Sequence, residues 1–223
     1  MKGEGGVMNI VMTIDGPPAS GKTTLAGLVS EKLGLTHLDS GSIFRSLTLH
    51  CMNKGVDLTN TDEVVKEFGD ADIQISGGKI FLNGEDVSQK IRTPEVTREI
   101  VKISNIPEVR LFVKNFQHAY AEAGNGIVAD GRKVGTEVFP DADFKFYLTA
   151  DQEVRAKRRY NQLLPKHPDV KFEDVFRDLK GREDVEVSHG ILLVPENAIV
   201  IDNSALTVEE TLERILQVVE TKK

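Results

Sequence analysis

A chain of 223 residues with 39% hydrophobic content has enough apolar material for one sizeable core, with smaller inserted lobes allowed. Its net charge of −7 excludes a broad surface for nucleic acid or acidic membrane, so an anion site has to be a local concentration of Arg and Lys suited to a small phosphorylated ligand. The single cysteine, Cys51, rules out an intrachain disulfide, and five widely separated histidines lack metal-ligand spacing, which fits a reducing cytoplasm and no structural metal. Residues 1–8 carry too short an apolar run for a signal peptide and read as a loose tail, and no later stretch approaches a membrane span.

From Asn9 the chain reads as an apolar strand, Ile10 to Ile14, running through Gly16-Pro17-Pro18-Ala19-Ser20-Gly21-Lys22-Thr23-Thr24 into a helix with Leu25, Leu28, Val29 and Leu33 on one face. Gly16, Gly21, Lys22 and Thr23 meet the spacing G-x-x-x-x-G-K-[ST] in full. The chemistry needs that order: loop and first-turn N–H groups converge on one place, and the helix dipole adds partial positive charge there. Lys22 then reaches β- and γ-phosphates, and the Thr23 hydroxyl is the expected Mg²⁺ ligand. A plain Gly/Pro turn between two core elements is the competing reading, and the spacing speaks against it.

Leu35 to Leu38 is a short apolar segment, after which Asp39-Ser40-Gly41 turns into a helix carrying Ile43, Arg45, Leu47 and Cys51. Residues 56–92 change character: Asn60 with Glu63 caps a short helix, and Ile73 to Ile75, Gly77-Gly78 and Lys79 to Leu82 form a hairpin, an insertion too short on strands to be a domain of its own. Thr93 with Pro94 starts a helix to about Ser104, and Pro107 starts the next. Gly126 to Asp130 is an apolar strand ending in an acid and followed by Gly131-Arg132, and Phe144 to Thr149 is another strand. Asp151 caps a helix whose Arg155, Arg158 and Arg159 share one face. Leu164 to Gly190, charge-rich and interrupted by Pro165 and Pro168, reads as mobile. A last strand, Ala198 to Asp202, precedes an amphipathic helix opened by a Thr207/Glu210 capping box. Alternating strands and helices predict an α/β, doubly wound parallel sheet flanked by helices, whose strand carboxyl ends line the ligand crevice and bring Asp130 and Arg132 toward the P-loop.

These pieces together resemble the bacterial cytidylate (CMP/dCMP) kinases, P-loop nucleoside monophosphate kinases, over nearly the whole chain. The likeness is carried by Ile14-Asp-Gly-Pro with the P-loop, Leu38-Asp-Ser-Gly41 with Phe44-Arg45, Leu82-Asn-Gly-Glu-Asp-Val87, Ile91-Arg-Thr93, Asp130-Gly-Arg132, Gly135-Thr136, Val138-Phe-Pro-Asp-Ala142 and Arg155-Ala-x-Arg-Arg159. It implies a P-loop NTPase fold with a core of residues 1–39, 105–155 and 190–223, a monophosphate-binding lobe at 40–104 and a lid at 156–189. It implies ATP and Mg²⁺ as cofactors, transfer of the γ-phosphoryl group to (d)CMP, small nucleotides as the only partners, and a cytoplasmic monomer. Arg45, Arg132 and Arg182 fall where the family holds the acceptor phosphate.

Transfer between two phosphates needs positioning and charge neutralisation more than acid or base help, because the acceptor oxygen is already anionic. Singly, each arginine reads as a solvated surface group; their joint match reverses that reading. Arg155, Arg158 and Arg159 are expected to close over the donor phosphates and exclude water, against a plain solvated face. Asp130 is an outer-sphere Mg²⁺ or orienting carboxylate, or an acid that merely caps its turn, and Ser40 either donates to the acceptor or shapes its loop. The family's base-reading positions fall at Val101, Arg110, Lys133 and His189, of which only Arg110 keeps the family's residue type, and its ribose-contacting acid falls at Glu186. Lys133 donates where a carboxylate would accept. That leaves a second expectation beside (d)CMP, a 4-oxo acceptor such as UMP, dTMP or a 5-substituted dUMP. A P-loop kinase of a small alcohol would need a base for its hydroxyl, and the three acceptor arginines argue for a phosphate acceptor instead; a non-enzymatic P-loop regulator would bind nucleotide without turnover, and the intact Lys22, Thr23 and lid arginines speak against it.

Overall fold

The computed structural model of the chain describes residues 10–124, 126–165 and 167–221; the tail expected at residues 1–8 lies outside them. Two compact units emerge, one from Leu38 to Gly124 and the other from the chain on either side of it. No helix among the described residues is long and apolar enough to cross a membrane.

The flanking unit is built on a five-stranded sheet in the order β2-β6-β1-β7-β8. These strands are β1 (Val11–Asp15), β2 (Thr36–Asp39), β6 (Ile127–Gly131), β7 (Phe144–Thr149) and β8 (Ile199–Asp202). β1 pairs in parallel with both β6 and β7, and β7 with β8. Strands β2 and β6 lie on one side of β1 and β7 and β8 on the other, so the strand order switches at β1, and its carboxyl end is the switch point where such sheets open a ligand crevice. The register places Ile14 opposite Asp130 and Asp15 opposite both Gly131 and Tyr147, so these residues share that end of the sheet.

Helix α1 (Lys22–Leu33) begins at Gly21 and ends at Gly34, whose left-handed backbone returns its N–H to the Ser30 carbonyl. Its Leu25, Ala26 and Val29 join Met12, Ile14, Phe146, Leu148 and, from α8 (Val208–Thr221), Leu212 and Ile215 in one core. Each fully buried side chain of this size contributes roughly 1.5–3 kcal/mol. The Thr207/Glu210 box forms reciprocally, Glu210 N–H to Thr207 Oγ1 at 3.1 Å and Thr207 N–H to Glu210 Oε2 at 2.8 Å.

One expectation is corrected in this unit. Asp151 stands at the N-cap of α6 (Gln152–Leu163), but its side chain makes no capping bond. The stretch read as mobile contains α7 (Phe172–Ser188), which packs on α6 and buries Val175 and Leu179, four residues apart, on one face while the charges occupy the others.

The other unit has its own core. Helices α2 (Ser40–Asn53), α3 (Thr61–Phe68), α4 (Pro94–Ile103) and α5 (Pro107–Glu122) surround Ile43, Leu47, Val64, Ile91, Val96, Val109 and Val113. A small antiparallel sheet of β3 (Ile73–Ser76), β4 (Lys79–Leu82) and β5 (Glu85–Asp86) adds Ile73, Ile80 and Leu82 to that core. The hairpin read as an insertion lies within this compact unit together with the helices, and the unit runs past residue 104 because Val109 and Val113 of α5 pack inside it. Thr93 caps α4 by accepting from Val96 N–H at 3.4 Å, with Pro94 in the first turn as the sequence predicts.

Candidate active site at the carboxyl end of β1

Between β1 and α1 the loop is set by close approaches that only particular residues allow. A Cβ on Gly16 would run into the Leu148 carbonyl, and its φ of 147° suits glycine alone. Ala19 holds φ 60°, a left-handed position costing about 1–2 kcal/mol for a residue with a side chain. Several carbonyls of the loop are bound by the protein: Pro17 by Lys22 Nζ at 2.7 Å, Pro18 by Arg155 Nη1 at 3.2 Å and Ser20 by Asn203 Nδ2 at 3.0 Å. Since a peptide's N–H points opposite its C=O, the Ala19 and Gly21 amides turn the other way, making a concave anion cradle.

Lys22 is buried and also reaches Ser20 Oγ at 3.4 Å. Burial first, and then the Arg132 charge, push its pKa well below the ordinary lysine value, while Asp130, Glu186 and Asp15 pull it back up. Thr23 Oγ1 donates to Asp130 Oδ2 at 2.8 Å, and His37 Nε2 lies 2.7 Å from Asp130 Oδ1, so both oxygens of that buried carboxylate are oriented. A hydroxyl beside a carboxylate is a hard-oxygen pair that fits Mg²⁺ completed by phosphate oxygens and water. No three His, Cys, Asp or Glu among the described residues gather into a metal cage of their own.

The arginines have definite partners. Arg132 Nε donates to Glu186 Oε2 at 2.9 Å. Arg155, 4% exposed, gives Nε to the Ala150 carbonyl at 2.8 Å and Nη2 to both oxygens of Glu183, at 2.9 and 2.8 Å. Arg158 is gripped by Asn203 through Oδ1 at 2.9 Å and the main-chain carbonyl at 2.8 Å. Arg159 meets Gln162 at 3.5 Å, and burial and then the Arg182 charge lower its pKa. Arg182 itself pairs with Asp178 at 3.1 Å on an open surface. The three arginines of α6 thus share a face by spacing yet engage different elements. Lys133 Nζ lies 2.7 Å from Glu137 Oε1, and His189 Nδ1 lies 2.8 Å from the Val185 carbonyl at the end of α7. Thr24 is exposed on α1.

Within the Leu38–Gly124 unit, Asp39 is the focus. It accepts from Ser42 N–H at 3.1 Å as the cap of α2, bonds the Ser42 hydroxyl, and pairs with Arg45 at 3.3 Å and Arg92 at 3.4 Å. Ser40 Oγ accepts from Gln117 Nε2 at 2.9 Å. Val101 is 64% exposed on α4, and Arg110 lies half-buried in the first turn of α5.

Sequence reasoning gave no role to Asp15, His37, Arg92, Glu183 or Asn203. Arg92 and Asp15 had a signal, in Ile91-Arg-Thr93 and Ile14-Asp-Gly-Pro, and Glu183 with Glu186 had another, two acids one turn apart on a helix near an arginine-rich one. His37 and Asn203 act through tertiary contacts that leave no local pattern.

Residues 12–221 match the family model described as cytidylate kinase. A cytidylate kinase of Caldanaerobacter subterraneus subsp. tengcongensis is 39% identical over 95% of this chain and 95% of its own. One from Vibrio cholerae is 41% identical over 95% of this chain and 96% of its own. Among solved structures, an uncharacterized protein from Eubacterium ventriosum superposes with a TM-score of 0.53 at 13% identity, covering 95% of this chain and 98% of that one, a likeness of fold.

Proposed function

The chain belongs to the cytidylate kinase family, and from that premise we propose that it transfers the γ-phosphoryl group of ATP to CMP or dCMP, giving ADP and CDP or dCDP. One observation carries the reading: the Thr23–Asp130 hydrogen bond beside the buried Lys22, with Arg132 two residues after Asp130. A hydroxyl, a carboxylate and two cations meet at the head of an anion cradle, which is the equipment of phosphoryl transfer.

An oxygen of the acceptor phosphate attacks the γ-phosphorus, the bond to the β-bridging oxygen breaks, and ADP leaves with the electron pair; no general base is required. The loop amides and Lys22 hold the β- and γ-phosphates. Thr23 and Asp130 are the residues that would hold Mg²⁺, whose contribution is to neutralise charge on the phosphate oxygens. Arg132, Arg182 and Arg45 take the acceptor phosphate, the Glu186 contact fixing the plane of the Arg132 fork while its terminal amino groups remain its bidentate edge. Arg155 braces the loop through the Pro18 carbonyl, and Arg158 and Arg159 serve the donor side. We assign residues 40–104 to the monophosphate lobe and 156–189 to the lid, and place the enzyme in the cytoplasm as a monomer.

The 4-oxo pyrimidine alternative needs Lys133 turned to the base; its ammonium instead lies 2.7 Å from the Glu137 carboxylate one turn on, which favours the cytosine reading. A coupled ADP-release assay across nucleoside monophosphates tests this: kcat/KM should be highest with CMP or dCMP. A higher value with UMP or dTMP would move the acceptor, and nucleotide binding without turnover would remove the enzyme.

A further inference from the structure

Asp15 ends β1 and directly precedes the loop glycine Gly16, and its side chain is fully buried. Its Oδ1 accepts from the Val134 N–H at 2.8 Å and its Oδ2 from the Gly135 N–H at 2.7 Å, across 119 and 120 residues of sequence. Those amides open the π-helical turn Val134–Val138, whose own N-cap residue, Lys133, supplies no side-chain cap. A carboxylate from another strand therefore caps the turn that follows Arg132. Contact there is tight: a Cβ on Gly135 would come within 2.8 Å of Thr13 Oγ1, 3.0 Å of Pro195 Cγ and 3.1 Å of Asp15 Oδ2. The β1–β6 register supplies a second tie, since Asp15 lies opposite Gly131, the residue before Arg132.

We propose that Asp15 is a positioning residue for phosphoryl transfer, fixing the distance between the donor loop that its own backbone begins and the acceptor arginine Arg132 whose following turn its side chain holds. The inference rests on the kinase reading above, and its physical basis is the steep dependence of an in-line displacement on geometry: a shift of about 1 Å costs about 10²-fold. The buried carboxylate is retained because both oxygens are bonded and Lys22 lies close enough for their charges to interact, whereas a neutral apolar residue would leave two backbone N–H groups unpaired.

Two variants disturb the contact from opposite sides. Asp15→Asn keeps the shape but sets an NH₂ against an N–H, and Gly135→Ala keeps the carboxylate but forces the turn away. Both should raise the acceptor KM at least about tenfold and lower kcat, leaving the ATP KM within about twofold, and the double variant should be no worse than the poorer single one because both act through one displacement. A merely structural role predicts instead a lower melting temperature with both KM values moving together or neither moving. Amide exchange at Val134 and Gly135 gives a readout independent of turnover: protection at Gly135 should fall by about 10²-fold in Asp15→Asn. Loss of protection with an unchanged acceptor KM in either variant overturns the proposal. A wild-type protein that binds nucleotide without turnover, with the same exchange pattern, would instead overturn the kinase reading. Should Asp15→Asn not fold, the milder Gly135→Ala decides through the same ratio of KM values.

Discussion

At the scale of single residues, Lys22 combines a heavy electrostatic task with a light structural one. Its charge is buried, where an interaction with a phosphate oxygen is far stronger than in water. Its own bonds to the Pro17 carbonyl and Ser20 Oγ are offset by the cost of desolvating that charge. Lys22→Ala should therefore lower kcat by about 10²- to 10³-fold, as the loss of one preorganised charge-stabilising donor does, while stability stays within about 1 kcal/mol. Steady-state kinetics beside a thermal melt check both halves. Turnover within threefold of wild type would mean that the loop does not hold the transferring phosphate.

Among the elements, α7 departs furthest from a sequence reading, and its energetics show why. Its acids do not simply face water: Glu183 clamps a 4%-exposed Arg155, and one turn later Glu186 clamps Arg132. Replacing one partner of a buried pair strands the other charge, at about 3–5 kcal/mol when burial is complete. Glu183 is 20% exposed and Gln keeps one acceptor, so Glu183→Gln should cost roughly 1–3 kcal/mol, lowering the melting temperature by about 2–12 °C. The Arg182–Asp178 pair is 53% and 62% exposed, so Asp178→Asn should cost no more than about 1 kcal/mol. Equal melting temperatures for the two variants would show that α7 is not held by its Arg155 contact. The same contrast explains what was legible beforehand. Strand, loop and helix around Lys22, the Thr93-Pro94 start and the Thr207/Glu210 box are local physics written in neighbouring residues. A carboxylate that meets an arginine 28 residues away, as Glu183 does, or backbone amides 119 and 120 residues away, as Asp15 does, has no local spacing to betray it. α7 was hidden for a related reason: with only Val175 and Leu179 buried, its apolar stripe is too thin to stand out among charges.

For the whole molecule, the acidic balance and the arginine-lined site point to one further measurement. A net charge of −7 is spread over a surface that includes exposed Asp and Glu throughout, whereas Lys22, Arg132 and Arg155 are concentrated near the carboxyl end of β1. A polyphosphate held by the folded loop and its lysine, and not by the unfolded chain, should stabilise the fold. A ligand that binds only the folded chain adds RT ln(1 + [L]/Kd), about 2.7 kcal/mol at a hundredfold excess over Kd. In a chain of this size that corresponds to a rise of roughly 5–11 °C. We expect such a rise with Mg²⁺·ATP and, separately, with CMP. Lys22→Ala should lose most of the first and keep the second, because the lysine serves the donor phosphates alone. Differential scanning calorimetry of both proteins with each ligand distinguishes the cases. If the two increments fall together in the variant, Lys22 is not specific to the donor; if neither ligand stabilises the wild-type protein, the loop at Gly16–Thr23 is not its nucleotide site.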